Sequence, residues 1–148
     1  MPHRFRLFSW FKKKVARVIR WCQRYGYQKI LARQKITLPK DSIVVSYGPV
    51  LGEQLGSGLA LTGGKVKLTY LHKRYPHTKE DFNILYLVSS ALSRYSTDIA
   101  HWAKAQGVKV VLNQDGVAYP AWTGDHQRIN SELKNVLNLA DLVIYQSQ

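Results

Sequence analysis

Four short apolar runs punctuate the chain after residue 41. They are Ile43-Val44-Val45-Ser46 running to Tyr47-Gly48, Asn83 to Val88, Val108 to Leu112, and Leu142 to Tyr145. None alternates cleanly between polar and apolar residues, which is the pattern of strands covered on both faces. Between them the period changes. Leu92, Tyr95, Ile99 and Trp102 make one helical stripe, closed by Gly107. Ile129, Leu133, Val136, Leu137 and Ala140 make another, in a segment that starts near Thr123 to Asp125. The segment Gly64 to Arg74 fits two periods: Val66, Leu68, Tyr70 and His72 alternate like a strand, whereas Leu68, Leu71 and Tyr75 share a helical face. The glycines before it and Pro76 after it favour a helix. Strands alternating with helices imply right-handed crossovers and a parallel sheet. The expected fold is therefore α/β, a Rossmann-like parallel sheet with flanking helices over residues 41–148.

Residues 1–40 follow a different pattern. Ser9 can cap a helix beginning at Trp10. Phe11, Val15, Val18, Cys22 and Tyr25 recur at helical spacing, flanked by Ile19 and Trp21. Gly26 reads as a stop, and a second short amphipathic piece is expected through Ile30, Leu31 and Gln34. Lys12, Lys13, Lys14, Arg17, Arg20 and Arg24 fill much of the remaining surface. Charge sharpens this boundary. The chain of 148 residues carries a net charge of +13, yet residues 1–40 hold twelve Lys or Arg and no Asp or Glu. Residues 41–148 hold ten against nine and are nearly neutral. A step near Pro39-Lys40-Asp41 thus separates a basic amphipathic helical arm from the α/β part. Nucleic acid is not the expected partner of the α/β part, because only the arm has a cationic footprint. Residues 10–35 fit a helix on an anionic membrane surface, a terminal helix packed on the domain, or a tether for nucleic acid or another acidic partner. The single cysteine, Cys22, has no partner for an intramolecular disulfide and is expected as a small buried apolar residue. No apolar h-region follows the basic start, so the expected location is cytoplasmic, with the arm at the inner membrane face.

The strand ends carry the candidate chemistry. In an open parallel sheet, ligands sit beyond the carboxyl ends of the strands. The first run delivers Tyr47 and a glycine-rich loop from Gly48 to Gly58. The second delivers Ser89-Ser90, the third Asn113-Gln114-Asp115-Gly116, and the fourth Gln146-Ser147. Gly63 and Gly64 open the ambiguous helix, where backbone N–H groups can approach a phosphate, and Lys65 would add a point charge. Such ends also favour turn residues for their own sake, so a polar cleft and ordinary turn chemistry both stand. Asp115 is the one carboxylate at this edge, a candidate either for turn chemistry or for contacting sugar hydroxyls or orienting a reacting one. Other motifs fail on detail. A phosphate-binding loop requires Lys where Gly64 stands, the dinucleotide fingerprint requires a third glycine where Leu61 stands, and no G-x-S-x-G elbow occurs. The five histidines are scattered, and no metal site is expected.

The run Gly63 to Pro76 (GGKVKLTYLHKRYP) resembles the glycine-opened first helix of GT-B glycosyltransferases of the family 4 type. Val110 to Trp122 (VVLNQDGVAYPAW) and Ala140 to Ser147 (ADLVIYQS) are similar to stretches in a subset of that family. The resemblance implies a two-domain, retaining transferase for cell-surface polysaccharide or glycolipid synthesis. Its first domain would hold a sugar or lipid-linked acceptor, and its second most of a nucleotide-diphosphate sugar, with no separate cofactor. On that reading Gly63, Gly64 and Lys65 border donor phosphates or acceptor. Asn113, Gln114 and Gly116 border the acceptor pocket, and Asp115 is the catalytic candidate. The family's donor motif, two glutamates separated by seven residues, is not matched by Glu53, Glu80 and Glu132. The expectation is an incomplete first domain, inactive without a separate donor-binding domain. The alternative is a non-enzymatic binding module tethered to a membrane or an acidic partner.

Overall fold

The computed structural model describes residues 3–48 and 63–146. It divides into two compact units, Met1–Gln34 and Lys35–Gln148. The first is one continuous helix, α1 (His3–Arg33). The expected stop at Gly26 and separate piece at residues 30–34 do not occur. A glycine inside a helix costs only about 1 kcal/mol relative to alanine, and no proline lies between Pro2 and Pro39 to end it. Cys22 is exposed, contrary to the expectation of burial. Hydrophobic spacing placed it on the apolar stripe, but that stripe is itself exposed, with Val18 at 60% and Trp21 at 66%. Among the described residues no helix is long and apolar enough to cross a membrane.

The second unit is a parallel four-stranded sheet flanked by helices, consistent with a Rossmann-like layout. Its elements run β1 (Val45–Ser46), α2 (Gly63–Arg74), β2 (Ile84–Val88), a 3-10 turn (Ser89–Ala91), α3 (Ser96–Ala105), β3 (Lys109–Gln114), α4 (His126–Leu139) and β4 (Leu142–Tyr145). The strand order is β1-β2-β3-β4, with Val45 opposite Ile84, Leu85 opposite Val110 and Leu112 opposite Val143. The ambiguous segment is a helix. Leu68 is 1% exposed and packs with Val45, Tyr47 and Val88, while Leu71 and Tyr75 close over them.

One isolated pairing shapes the whole sheet. Val45 also bridges His77 in parallel. The Val45 carbonyl accepts from Thr78 N–H on one side of β1, and the Val44 carbonyl accepts from Ile84 N–H on the other. The chain therefore leaves β1, returns through α2 to its outer flank, then passes to its inner flank as β2. Residues 77 and 78 act as a vestigial strand. The direction of strand addition reverses at β1, which makes the gap between β1 and β2 a topological switch point. Side-chain alternation divides the core accordingly. Val45, Tyr47, Ile84, Tyr86 and Val88 share the α2 face. Leu85, Leu87, Val110 and Leu112 are no more than 2% exposed and belong to the face on which α3 and α4 pack.

Polar staples fix the ends of this sheet. The Asn83 side chain accepts from Val44 N–H and donates to the Pro39 and Ser42 carbonyls, anchoring the approach to β1. Asp141 accepts from Val110 N–H at 2.8 Å and from Lys104 at 2.9 Å, anchoring the entry to β4. The expectation that every strand is covered on both faces fails at β4. Leu142, Ile144 and Tyr145 are 55%, 40% and 68% exposed. Among the described residues β4 pairs on one side only, with β3, and the same apolar composition is left in solvent.

Candidate functional site

Strand direction brings the ends of β2 and β3 to one edge, and the next residues of each are short and polar. Ser89 and Ser90 leave β2 in the 3-10 turn, and Asp115-Gly116 leave β3. Asp115 joins them. Its Oδ1 accepts from Ser89 Oγ at 2.7 Å and from Ser90 N–H at 3.0 Å. Its Oδ2 accepts from Ser90 Oγ at 2.7 Å and from Lys67 Nζ at 3.2 Å. In return, Asp115 N–H donates to Ser89 Oγ at 3.0 Å. The side chain is only 6% exposed. Burial pushes the Asp115 carboxyl up, but the hydrogen bonds from Ser89, Ser90 and Lys67 outweigh it and hold the group below its ordinary value. A carboxylate has about four lone-pair sites, and four donors occupy them here. Asp115 is thus an anionic clamp that joins the ends of β2 and β3 to α2, each of its lone-pair sites matched by a donor.

Gly64 explains how α2 reaches this edge. A Cβ on it would lie 2.4 Å from Ser90 Oγ, 3.1 Å from Val88 and 3.2 Å from the Ala91 Cβ. Only a residue without a side chain lets the first turn of α2 sit against the end of β2. Gly63 faces open space and is exposed. One turn on from Gly64, Lys67 lies on the same helical face. Its ammonium spans Asp115 and Gln146, at 2.9 Å from Gln146 Oε1, so it ties the ends of β3 and β4 to α2. Lys65, expected from the sequence to supply the charge, is half-buried, with its carbonyl accepting from Thr69 Oγ1. The i, i+3 spacing from Gly64 would have singled out Lys67.

An open cleft of about 280 Å³ lies beside the clamp. Its lining joins the polar Ser89, Ser90, Asp115 and Gly116 to the larger Tyr119, Trp122 and Leu133. Tyr119 and Trp122 are 57% and 52% exposed, with ring centroids 6.4 Å apart at 40°. Asn130 on α4 holds their loop in place. It accepts from Ala118 N–H at 2.9 Å and donates to the Ala118 carbonyl at 2.7 Å. Backbone bonds from Trp122 N–H and Thr123 N–H to the Tyr119 carbonyl close the turn. These aromatics fell outside the candidate residues drawn from the strand ends, because they lie five and eight residues beyond the end of β3. Their signal is a Tyr and a Trp bracketing Pro120 in a polar stretch.

The remaining expected residues divide. Gly116 lines the cleft, and its carbonyl lies 3.1 Å from Ser89 Oγ. Asn113 faces inward instead. Its Nδ2 donates to the Tyr86 hydroxyl at 2.9 Å, and its Oδ1 is buried without a partner among the described residues. Gln114 enters through its carbonyl, which accepts from Gln146 N–H. Tyr47, expected at the polar edge, is 1% exposed; burial, with Tyr86 and Tyr75 nearby, pushes its phenol up to about 12, and its hydroxyl donates to the Tyr75 carbonyl. Gly48 adopts a φ of 66°, the left-handed turn that favours glycine. The rest of the glycine-rich loop through Gly58, and Ser147, lie outside the described residues. Among the described residues no cluster of three His, Cys, Asp or Glu could hold a metal ion. Comparison with family models, with curated proteins and with solved structures finds no match for this chain.

Proposed function

We propose that the α/β unit is the acceptor-side domain of a nucleotide-sugar-dependent glycosyltransferase, binding a sugar or lipid-linked saccharide at the β2–β3 edge. The observation that carries this reading is the cleft itself. Serines and backbone groups share its lining with the exposed Tyr119 and Trp122 rings, at the carboxyl edge of a parallel sheet. Hydroxyl-rich rings offer polar edges and apolar C–H faces. Serine hydroxyls suit the first and aromatic rings the second. A second support is the shared edge: Gly64 touches Ser90, and Ser90 holds Asp115, so the two stretches that resemble the transferase family meet at one place. The first turn of α2 packs at this edge through Gly64, and helix N-termini favour an anion such as a diphosphate.

On this reading the chain binds and orients rather than performing the chemistry alone. Its one carboxylate at the cleft is occupied by four donors. Charge developing on the departing nucleoside diphosphate would be stabilised by groups of a second, donor-binding domain, with water excluded between the two. The same occupied carboxylate supports the second reading, a binding module with no catalytic role.

The test is a titration of the isotopically labelled chain with a panel of neutral hexoses, lipid-linked saccharides and nucleotide sugars, read by amide shifts. Saturable shifts confined to Ser89, Ser90, Gly116, Ala118 and Trp122, abolished by Trp122→Ala, support a saccharide site. Shifts with nucleotide sugars that persist in Trp122→Ala but vanish in Gly64→Ala would place the ligand at α2 instead. No response to any sugar ends the transferase reading. Transfer of a radiolabelled sugar by the chain alone would overturn the claim that it needs a second domain.

A further inference from the structure

We infer that α1 is a docking element for an anionic lipid surface, lying in the interface with its apolar stripe inward. The inference stands apart from the glycosyl-transfer reading and rests on α1 alone. Val15, Val18, Cys22 and Tyr25 recur at 3.6-residue spacing, with Ile19 and Trp21 on either flank. All six are exposed, the five other than Cys22 by 42% at Val15 to 66% at Trp21. Trp21 and Tyr25 stack with centroids 5.8 Å apart and planes at 13°, so the stripe carries a flat aromatic patch. Arg17, Arg20 and Arg24 occupy the opposite face and are exposed. Lys14 borders the stripe, and Lys29 Nζ lies 5.3 Å from the Tyr25 ring centroid. The helix contains no Asp or Glu.

Two features have to be satisfied together. Six adjacent apolar side chains in water call for an apolar partner. A helix with only cationic charge calls for an anionic one. A nucleic-acid backbone answers the charge and leaves Val15, Val18 and Ile19 in water, since branched aliphatics have no stacking use. A bilayer with anionic headgroups answers both. The stripe enters the acyl boundary, Trp21 and Tyr25 sit at headgroup depth, and the long Arg and Lys side chains reach back to phosphates. The charge spread through the helix excludes a spanning arrangement and leaves an interfacial one.

The single cysteine provides the experiment, because Cys22 lies in the middle of the stripe and is exposed. The whole chain, carrying an environment-sensitive fluorophore on Cys22, is mixed with vesicles of phosphatidylcholine alone or of phosphatidylcholine with phosphatidylglycerol. The expected result is binding to the anionic vesicles at least about tenfold tighter, weakened by added salt. On binding, the label's emission shifts blue and becomes shielded from an aqueous quencher. Val18→Glu with Ile19→Glu should abolish the shielding, and Arg17→Glu with Arg20→Glu should abolish the preference for anionic vesicles. Equal binding to both vesicles, or a label that stays open to the quencher on bound protein, overturns the proposal. So does tight binding to duplex or single-stranded nucleic acid that survives Val18→Glu in a chain that ignores vesicles. Concentration-dependent self-association that shields Cys22 without lipid likewise overturns it in favour of a second copy of this helix.

Discussion

Two aspartates flank β3, one at each end, and each pairs with a lysine. Asp141 at the amino end meets Lys104 at 2.9 Å, and Asp115 at the carboxyl end meets Lys67 at 3.2 Å. The shorter ion pair is the lesser structure. Asp141 and Lys104 are 30% and 37% exposed, so water screens them, and the bond that matters there is the one from Val110 N–H. Asp115 is nearly buried and adds two serine hydroxyls and a backbone N–H to its lysine. One carboxylate staples a strand. The other pre-organises an edge, because removing it strands several donors at once.

The comparison can be broken most directly by truncation. Asp115→Ala leaves Ser90 N–H and Ser90 Oγ without their acceptor and takes one acceptor each from Ser89 Oγ and Lys67, which keep Gly116 and Gln146, and should cost about 2–4 kcal/mol. Chemical denaturation measures it. A loss equal to that of Asp141→Ala would erase the distinction. Gly64→Ala tests the same edge from the helix side. Better helix propensity offers about 1 kcal/mol, but the added methyl meets Ser90 Oγ, itself committed to Asp115, as well as Val88 and Ala91. A net loss of about 1–3 kcal/mol is expected, with shifted amides at Ser90 and Asp115. Unchanged or raised stability would mean that α2 does not press on β2.

Acid sharpens the contrast further. Asp115 and Asp141 are both held below the ordinary 3.8, Asp115 by serine and lysine hydrogen bonds that outweigh burial, Asp141 chiefly by Val110 N–H and Lys104. The folded state therefore binds fewer protons than the unfolded one. The stability each contributes is complete above that value and is lost as pH falls below it. Asp115→Asn should flatten the acid limb of a stability–pH curve more than Asp141→Asn does; the reverse order would mean that the exposed pair dominates. The smallest effect belongs to the open edge. Ile144→Thr should change stability by no more than about 0.5 kcal/mol while slowing aggregation, because Ile144 is already half in solvent. A core-like loss there would show that β4 is covered in solution.

Legibility in the sequence varied with the reach of each signal. Strand runs and helical stripes are local, and the α/β alternation followed from them. The helix of residues 63–74 was decided by its flanking glycines and Pro76 rather than by its period. Gly26 misled because a capping residue and a tolerated interior glycine look alike. Cys22 misled because an apolar stripe says that a face exists, not that anything covers it. β2 and β4 have nearly the same composition, yet only β2 is central, and neighbours in a sheet are chosen by topology. At the site, Gly64, Asp115 and Gly116 were found by position at strand and helix ends, and Lys67 was within reach of the same local spacing. Tyr119, Trp122 and Asn130 required knowing which segments meet.

What the sequence alone determined is the kind of material: alternating β and α segments, a cationic amphipathic helix set apart by a charge step, and small polar residues where strands end. These depend on spacing and composition within a few turns of chain. The tertiary structure decided the rest. It placed His77 outside β1, so that the order of strands reverses there. It left β4 at the edge, turned Asp115 inward to four donors, and set Tyr119 and Trp122 in one cleft with the serines that follow β2. All but the edge position are contacts between residues some twenty or more positions apart, and no local pattern records which distant partner a side chain will meet.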